Sequence, residues 1–256
     1  MTHLPADILN SLNQVTWSAP MRTSHLLAKI GYENGFCGVS DRTYVARNPH
    51  HVRQVHGTRV ASVAQNTAFN REERPEADGI YSTDHDAVAV KTADCLPVLI
   101  GSSSGSLAMA VHAGWRGLTA GILINAISRA ESLAPKSSLR FAIGPSISMA
   151  AFEVGPEVID ALRQDSCRLS ELTWPFAVTK GIGDRWHVDL QVAAALQLIS
   201  AGIDAPNIEV IRTCTSNQSL LTLHDHSDKA ARHWHSYRRE GKGCGSNWAW
   251  IKRNFN

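Results

Sequence analysis

The stretch DAVAVKTADCLPVLIG (86–101) decides how the chain is read. Its small and β-branched residues, followed by an apolar run closed by Gly101, predict a buried strand. Within that run Cys95 comes straight after Asp94. A cysteine that only packs would sit as well among the valines. One placed beside a carboxylate near a strand end raises the question of partners.

The neighbouring sequence continues the sheet. SSSG (102–105) predicts a turn, and LAMAVHAG (107–114) a second buried strand that ends at His112 and a glycine. Helical spacing of apolar residues predicts a helix over GLTAGILINAISRAESLA (117–134), stopped before Pro135. LRFAIGPSI (139–147) reads as a third strand broken by Gly144-Pro145. VGPEVIDALRQ (154–164) is a helix with proline just inside its start, where the missing N–H costs little. VDLQVAAALQLISAG (188–202) is another, with Asp189 as N-cap and Gly202 past its end. IEVIRTCT (208–215) reads as a strand. Hairpin-like strand pairs outnumber strand–helix–strand units, which predicts an α+β protein with mixed sheets rather than a doubly wound one. NTAFNREERPEAD (66–78) is charged and carries Pro75, as an exposed loop would. No stretch reads as a linker, so residues 1–256 are expected to form a single domain.

Composition narrows the function classes. A formal net charge of +2 gives no electrostatic case for nucleic acid or an anionic membrane surface. The first twenty residues lack the basic start and apolar core of a signal peptide, and no run reaches the length of a membrane span. The five cysteines are scattered, odd in number and without a CxxC pair, so a disulfide framework is not expected. These features predict a cytoplasmic protein.

Three short motifs carry the chemistry: RQVHGTRV (53–60) with His56, KTADCLPV (91–98) with Cys95, and AVHAGWRG (110–117) with His112. Two imidazoles and a thiolate are a normal zinc set, and three protein ligands leave a position open, as catalytic sites do. The residues also admit an ordinary reading, a small core cysteine and two turn histidines. Ala93, Pro97, Ala113 and Gly114 leave room around Cys95 and His112. HAGWRG also passes from strand into helix around Arg116, a pattern that suits an anion such as phosphate.

In chain order QVHG, ADGIYST, VKTADCLPVLI, AVHAGWRGL, AIGPSI and SYRREGKG resemble the YfiH-like family, also called laccase-domain or multicopper polyphenol oxidase-like proteins. The resemblance runs from about residue 50 to the C-terminus. It implies an α/β/β/α sandwich and a purine nucleoside phosphorylase that cleaves adenosine, inosine and methylthioadenosine with phosphate and deaminates adenosine. The metal ligands it implies are His56, Cys95 and His112, holding zinc or, alternatively, copper. Cys95, His112 and Asp94 are the expected catalytic residues, and Arg116 and Asp78 the expected phosphate and substrate contacts. Asp94 and Asp78 are further candidates for proton transfer or for orienting a histidine. Small-molecule nucleosides and phosphate are the expected partners, for a monomer or weak oligomer that binds neither nucleic acid nor membrane.

Two segments depart from the family pattern. Residues 31–57 compress a longer N-terminal region, and Gly243-Cys244-Gly245 replaces a Gly-Arg pair. Three other readings stand beside the first. A copper oxidase would use the paired histidines of LHDHSDKAARHWHS (His224, His226, His233, His235), which are otherwise read as a solvated segment. A cysteine hydrolase would use Cys95 as nucleophile and His112 as base. The resemblance also covers factors that remove wrongly incorporated amino acids from peptidoglycan precursors.

Overall fold

A computed structural model describes residues 6–18, 23–39, 45–63, 74–164, 173–216 and 234–254. Among them, seven strands form the main sheet, in the order Thr16–Ser18 (β1), Ile208–Ile211 (β12), Leu139–Ile143 (β8), Leu96–Ser102 (β6), Ala108–Ala113 (β7), Gly79–Ser82 (β4) and Val60–Ser62 (β3). β1, β12 and β8 run parallel; β6 and β7 pair antiparallel with their neighbours; β3 and β4 are again parallel. A second sheet places Asn247–Arg253 (β13) between Tyr32–Cys37 (β2) and Val88–Thr92 (β5). Glu153–Val154 (β9), Val178–Lys180 (β10) and Trp186–Val188 (β11) make a third. The mixed α+β architecture expected from the sequence is what the chain adopts.

β6 is the central strand, and every one of its residues is buried. Strand alternation sends its side chains to two cores. Leu96, Val98 and Ile100 join one with Met109 and Val111 of β7, Leu123 and Ile127 of helix Ile122–Glu131, and most of helix Leu190–Ser200. Leu99, Ala108 and Ala110 face the other way, onto Val88, Val90, Phe36 and Ile251 of the second sheet. The layers are therefore helices, main sheet, second sheet. The outer face of the second sheet, at Cys37, Ala89 and Trp250, is covered among the described residues by Val45 and Ala46 rather than by a helix.

Local signals account for most boundaries. The Asp189 side chain accepts from the N–H of Val192 at the start of helix Leu190–Ser200, and Gly202 follows its end with φ 83°. Two expectations change. The run 86–101 is not one strand: β5 and β6 belong to different sheets, and residues 93–95 make the crossing, with Asp94 at φ 82°. The helix over 117–134 is two helices, Trp115–Thr119 and Ile122–Glu131, because Gly121 turns left-handed at φ 93° between them. The helix read at 154–164 runs over Pro156–Leu162. Of the loop at 66–78, residues 66–73 lie outside the described residues, and Glu76 makes an isolated bridge to Arg53. No helix among the described residues is long and apolar enough to cross a membrane. None of the four described cysteines forms a disulfide.

Candidate metal centre

Three turns meet at one end of the main sheet. β6 pairs with β7 so that Leu96 lies opposite Ala113 and Pro97 opposite His112. Cys95, one residue before β6, therefore arrives beside His112 and Gly114. β4 pairs with the other edge of β7, and the N–H of His112 donates to the carbonyl of Asp78 at 2.7 Å. The pairing brings the side chains together as well: His112 Nδ1 lies 2.8 Å from Asp78 Oδ1. That contact turns Nε2 of His112 away from Asp78.

Asp78 also builds the turn that carries His56. Its carboxylate accepts the N–H groups of Val55, His56 and Gly57 at 3.2, 2.9 and 2.6 Å. These bonds hold His56 at φ 59°, a left-handed conformation uncommon for residues other than glycine. Before it, the Gln54 side chain donates to the carbonyl of Lys91 at 2.7 Å and accepts its N–H at 2.8 Å, so the loop is fastened to β5.

The result is convergence. His56, Cys95 and His112 each present a ligand atom within 4.8 Å of the other two, the one such group among the described residues. Cys95 Sγ stands 4.0 Å from His56 Nε2, and the two imidazoles meet edge-on with centroids 4.9 Å apart. Donors held about 2.0–2.3 Å from a tetrahedral zinc ion lie roughly 3.5 Å from one another, so these three need draw together by only about an ångström. Gly114 keeps the space open: a Cβ there would lie 3.0 Å from both Cys95 Sγ and His56 Cδ2. The donor set and the vacant volume fit a first-row metal ion. His112 is buried, Cys95 half-buried and His56 exposed, so the group opens to solvent on one side.

The electrostatics match. Burial works to raise the Cys95 thiol, but hydrogen bonds to His112 and His56 and the charge of His112 outweigh it and bring the thiol down to about 7. Burial works to lower His112, yet its hydrogen bonds to Asp78 and Cys95 raise it to about 9. Asp78 stays below the usual carboxylate range: burial opposes its charge, and His112 with the N–H groups of Gly57 and Val55 stabilise it. Without metal, both shifts run in the direction of a thiolate beside an imidazolium, anchored by a carboxylate.

A cleft of about 630 Å³ lies over this group, walled in part by Trp115, Phe152, Leu190 and Tyr237 and by Lys91, Arg116 and Arg238. The Arg116 guanidinium lies 4.3 Å from the centre of the Trp115 ring, at the cleft rather than on a remote surface. Helix Trp115–Thr119 is a single short turn, so the anion site expected there rests on the arginine and not on a long helix dipole.

Asp78 takes one of the places weighed for it, beside a histidine, while Asp94 faces another part of the chain. Asp78 has no exposed surface and bonds His112, which fixes the orientation of that ring. The Asp94 carboxylate accepts the hydroxyls of Thr215 and Ser236 at 2.6 and 2.9 Å and the N–H of Arg238 at 2.7 Å. Its oxygens bond Thr215 and the C-terminal segment rather than a histidine. That clamp places Tyr237 and Arg238 on the cleft, and Arg238 is fixed further by the carbonyls of Ala151 and Glu153. Neither residue was singled out in the sequence, although SYRREGKG contains both; Gln54 was passed over in QVHG in the same way. Of the paired histidines, His224, His226 and His233 lie outside the described residues. The His235 N–H donates to Asn247 and its ring faces Glu240 at 3.6 Å, apart from the three-residue group.

Known proteins carry the same arrangement of chain. The structure superposes on the crystal structure of the hypothetical protein YfiH from Bacillus licheniformis with a TM-score of 0.69 and 26% identity, over 81% of this chain and 74% of that one. A purine nucleoside phosphorylase of Xylella fastidiosa strain 9a5c is 37% identical over 169 residues, 65% of this chain and 62% of its own. Adenosine deaminase RL5, from an unknown prokaryotic organism, is 30% identical over 171 residues, 64% and 63% respectively. The chain spans roughly half to two thirds of the length of the curated relatives it matches. All three turns of the metal centre fall inside residues 39–254, the part of the chain that matches the family described as multi-copper polyphenol oxidoreductase laccase, and the chain belongs to that family.

Proposed function

We propose that the protein is a metal-dependent purine nucleoside phosphorylase, acting on adenosine, inosine and methylthioadenosine, that also deaminates adenosine. The observation that carries this reading is a three-donor group, His56, Cys95 and His112, opening into a cleft that combines aromatic faces with cations. Relatives named purine nucleoside phosphorylase and adenosine deaminase support it. We infer zinc as the resident ion, held by His56, Cys95 and His112. When bound, it would supply Lewis-acid activation of water or of the purine ring.

The chain's own residues supply the rest. Trp115, Phe152 and Tyr237 offer faces for a purine. Arg116 and Arg238 hold the phosphate nucleophile; both are permanently charged, and Arg238 is already anchored by two carbonyls. Leu190 and Phe152 line the cleft with apolar surface, which strengthens the charge–charge contacts inside it. Asp78 keeps His112 in one orientation, and Asp94 keeps Arg238 over the cleft. Both act through other residues and touch no substrate.

A second reading is favoured by one observation, the thiol of Cys95 at about 7 beside His112. Such a pair is also an activated nucleophile with its base. One experiment separates the two. Zinc-loaded protein incubated with adenosine should release ribose 1-phosphate only when phosphate is present, and inosine without it. Chelation should stop both reactions, and zinc should restore them. Cys95→Ala protein without metal that keeps full turnover overturns the metal reading. Activity that survives chelation but not thiol alkylation supports the nucleophile instead.

A further inference from the structure

The metal cleft does not end at Lys91. A second compartment of about 350 Å³ shares Gln54, Lys91 and Ser246 with it and is bounded on its far side by His51, Arg53 and Arg74. We propose that this compartment binds a phosphate ester carried by the nucleoside, so that the substrate has two parts: a base and sugar at the metal and an anionic group beyond Lys91. The proposal rests on the nucleoside reading of the first cleft.

Charge is the first argument. Lys91, Arg53 and Arg74 give the compartment three permanent cations. Among the described residues, Glu76 pairs with Arg53 at 2.6 Å. Both members of that pair are more than half exposed, at 68% and 52%. An ion pair so open to water contributes little, so an incoming phosphate can take over the guanidinium. Two arginines beside a lysine match the several acceptor oxygens of a phosphate monoester better than they match a carboxylate.

Rigidity is the second. The segment from His50 to Gln54 is strapped on both sides. His50 exchanges backbone bonds with Ala87 and Ala89 at 2.8 and 2.9 Å, and Arg53 with Pro75 and Ala77 at 3.0 and 3.1 Å. Gln54 closes the strap on Lys91. Trp248 packs against two of the lining side chains, with the Lys91 ammonium 4.5 Å from its ring centre and the His51 ring edge-on at 5.2 Å. Arg53 and Lys91 are thus mounted on a fixed backbone and bind an anion without their backbone first having to be ordered.

Size and continuity set the class of ligand. The compartment, about 350 Å³, has ample room for a phosphate group, and the chain's net charge of +2 gives no electrostatic case for a polyanion. A nucleoside 5′-monophosphate is the ligand that would place a base in the first cleft and an anion in the second.

Calorimetric titration of the zinc-loaded protein with adenosine, adenosine 5′-monophosphate and inorganic phosphate tests this. Wild type should bind the monophosphate at least tenfold more tightly than adenosine. Arg53→Ala/Arg74→Ala should lose that advantage while its affinity for adenosine stays within twofold. The single charge reversal Arg74→Glu should do the same, and serves if the double variant fails to fold. A monophosphate that binds no tighter than adenosine, or an advantage that survives both variants, overturns the proposal. Inorganic phosphate that displaces the monophosphate and binds equally well alone, with the same dependence on Arg53 and Arg74, makes the compartment a free-phosphate site and overturns the ester assignment. If adenosine neither binds nor reacts while monophosphate binding still depends on the two arginines, the compartment stands and the nucleoside phosphorylase reading falls.

Discussion

Gly114→Ala separates the metal centre from the fold by a single methyl group. Gly114 has φ −62° and ψ 160°, a conformation any residue adopts, so alanine brings no backbone strain. Such a change stabilises by about 0.4–1 kcal/mol through the unfolded chain where the native site tolerates it. Here the new carbon would lie 3.0 Å from Cys95 Sγ, 3.0 Å from His56 Cδ2 and 3.6 Å from His112 Cε1. Comfortable contact needs about 3.5–4.0 Å, so the thiol and the His56 ring must each retreat by roughly half an ångström. In the metal-free protein both can do so, because Cys95 is half-buried and His56 exposed. With zinc bound they cannot, since metal sites hold their donors to within about 0.2 Å.

Overpacking of this kind costs about 1–3 kcal/mol, and here that cost falls on the metal-bound state. The expected loss of zinc affinity is therefore about tenfold to a hundredfold, the range seen when groups supporting a metal ligand are altered. Competition against a chromophoric chelator reads the affinity, and thermal melting of the metal-free protein reads the fold. The expected result is weaker zinc binding with an unchanged or slightly raised metal-free Tm. Unaltered zinc affinity refutes the reasoning. So does a metal-free protein that melts well below wild type, because the glycine would then serve the fold.

Three further outcomes follow from the same geometry. Asp78→Asn turns an amide toward donors from His112 and three backbone N–H groups; it should lower stability by about 3 kcal/mol and zinc affinity at least tenfold, read by denaturant unfolding and chelator competition. Asp94→Asn tolerates the left-handed backbone but loses the charge that Thr215, Ser236 and Arg238 bond; it should destabilise by about 1–3 kcal/mol and raise the KM for phosphate while zinc content stays at wild type. Alkylation of Cys95 in metal-free protein should rise with a midpoint near pH 7 instead of near 9, as mass spectrometry of the modified peptide would record. The linkage signs differ within the pair. The stability Cys95 gains from its lowered thiol is complete above 9.0 and lost as pH falls through about 7, while that of His112 is complete below 6.5 and lost as pH rises through about 9.

Much of the fold was legible because local signals and burial agree. Asp189 and Gly202 bracket one helix, and alternation along β7 marks its two faces. The crossing at 93–95 was not, because an apolar run reads the same whether its strand continues or passes to another sheet. Only the left-handed Asp94 marks the break, and aspartate visits that region without the warning a glycine gives. Gly121 did carry a warning, but a glycine inside a helical pattern costs only about 1 kcal/mol and does not by itself end a helix. The three candidate donors that the fold brings together were legible by residue type. Their supports were not: nothing local distinguishes Asp78 from Asp94, and only the pairing of β4 with β7 puts the first under His112 while the crossing turns the second toward Ser236.

That division explains why the centre sits where it does. Three non-glycine residues among those described have positive φ: Asn48, His56 and Asp94. Two of them belong to this site, where one is a candidate donor and the other directly precedes one. A left-handed residue costs about 1–2 kcal/mol relative to its usual conformations, so neither turn persists unaided. Each is held by a buried carboxylate: Asp78 gathers the N–H groups around His56, and Asp94 gathers the C-terminal segment around its own turn. Because these bonds involve no metal, the donors are brought together by the fold itself. The ion then meets a site already within about an ångström of its coordination geometry, and its binding energy is left for affinity instead of being consumed in ordering the chain.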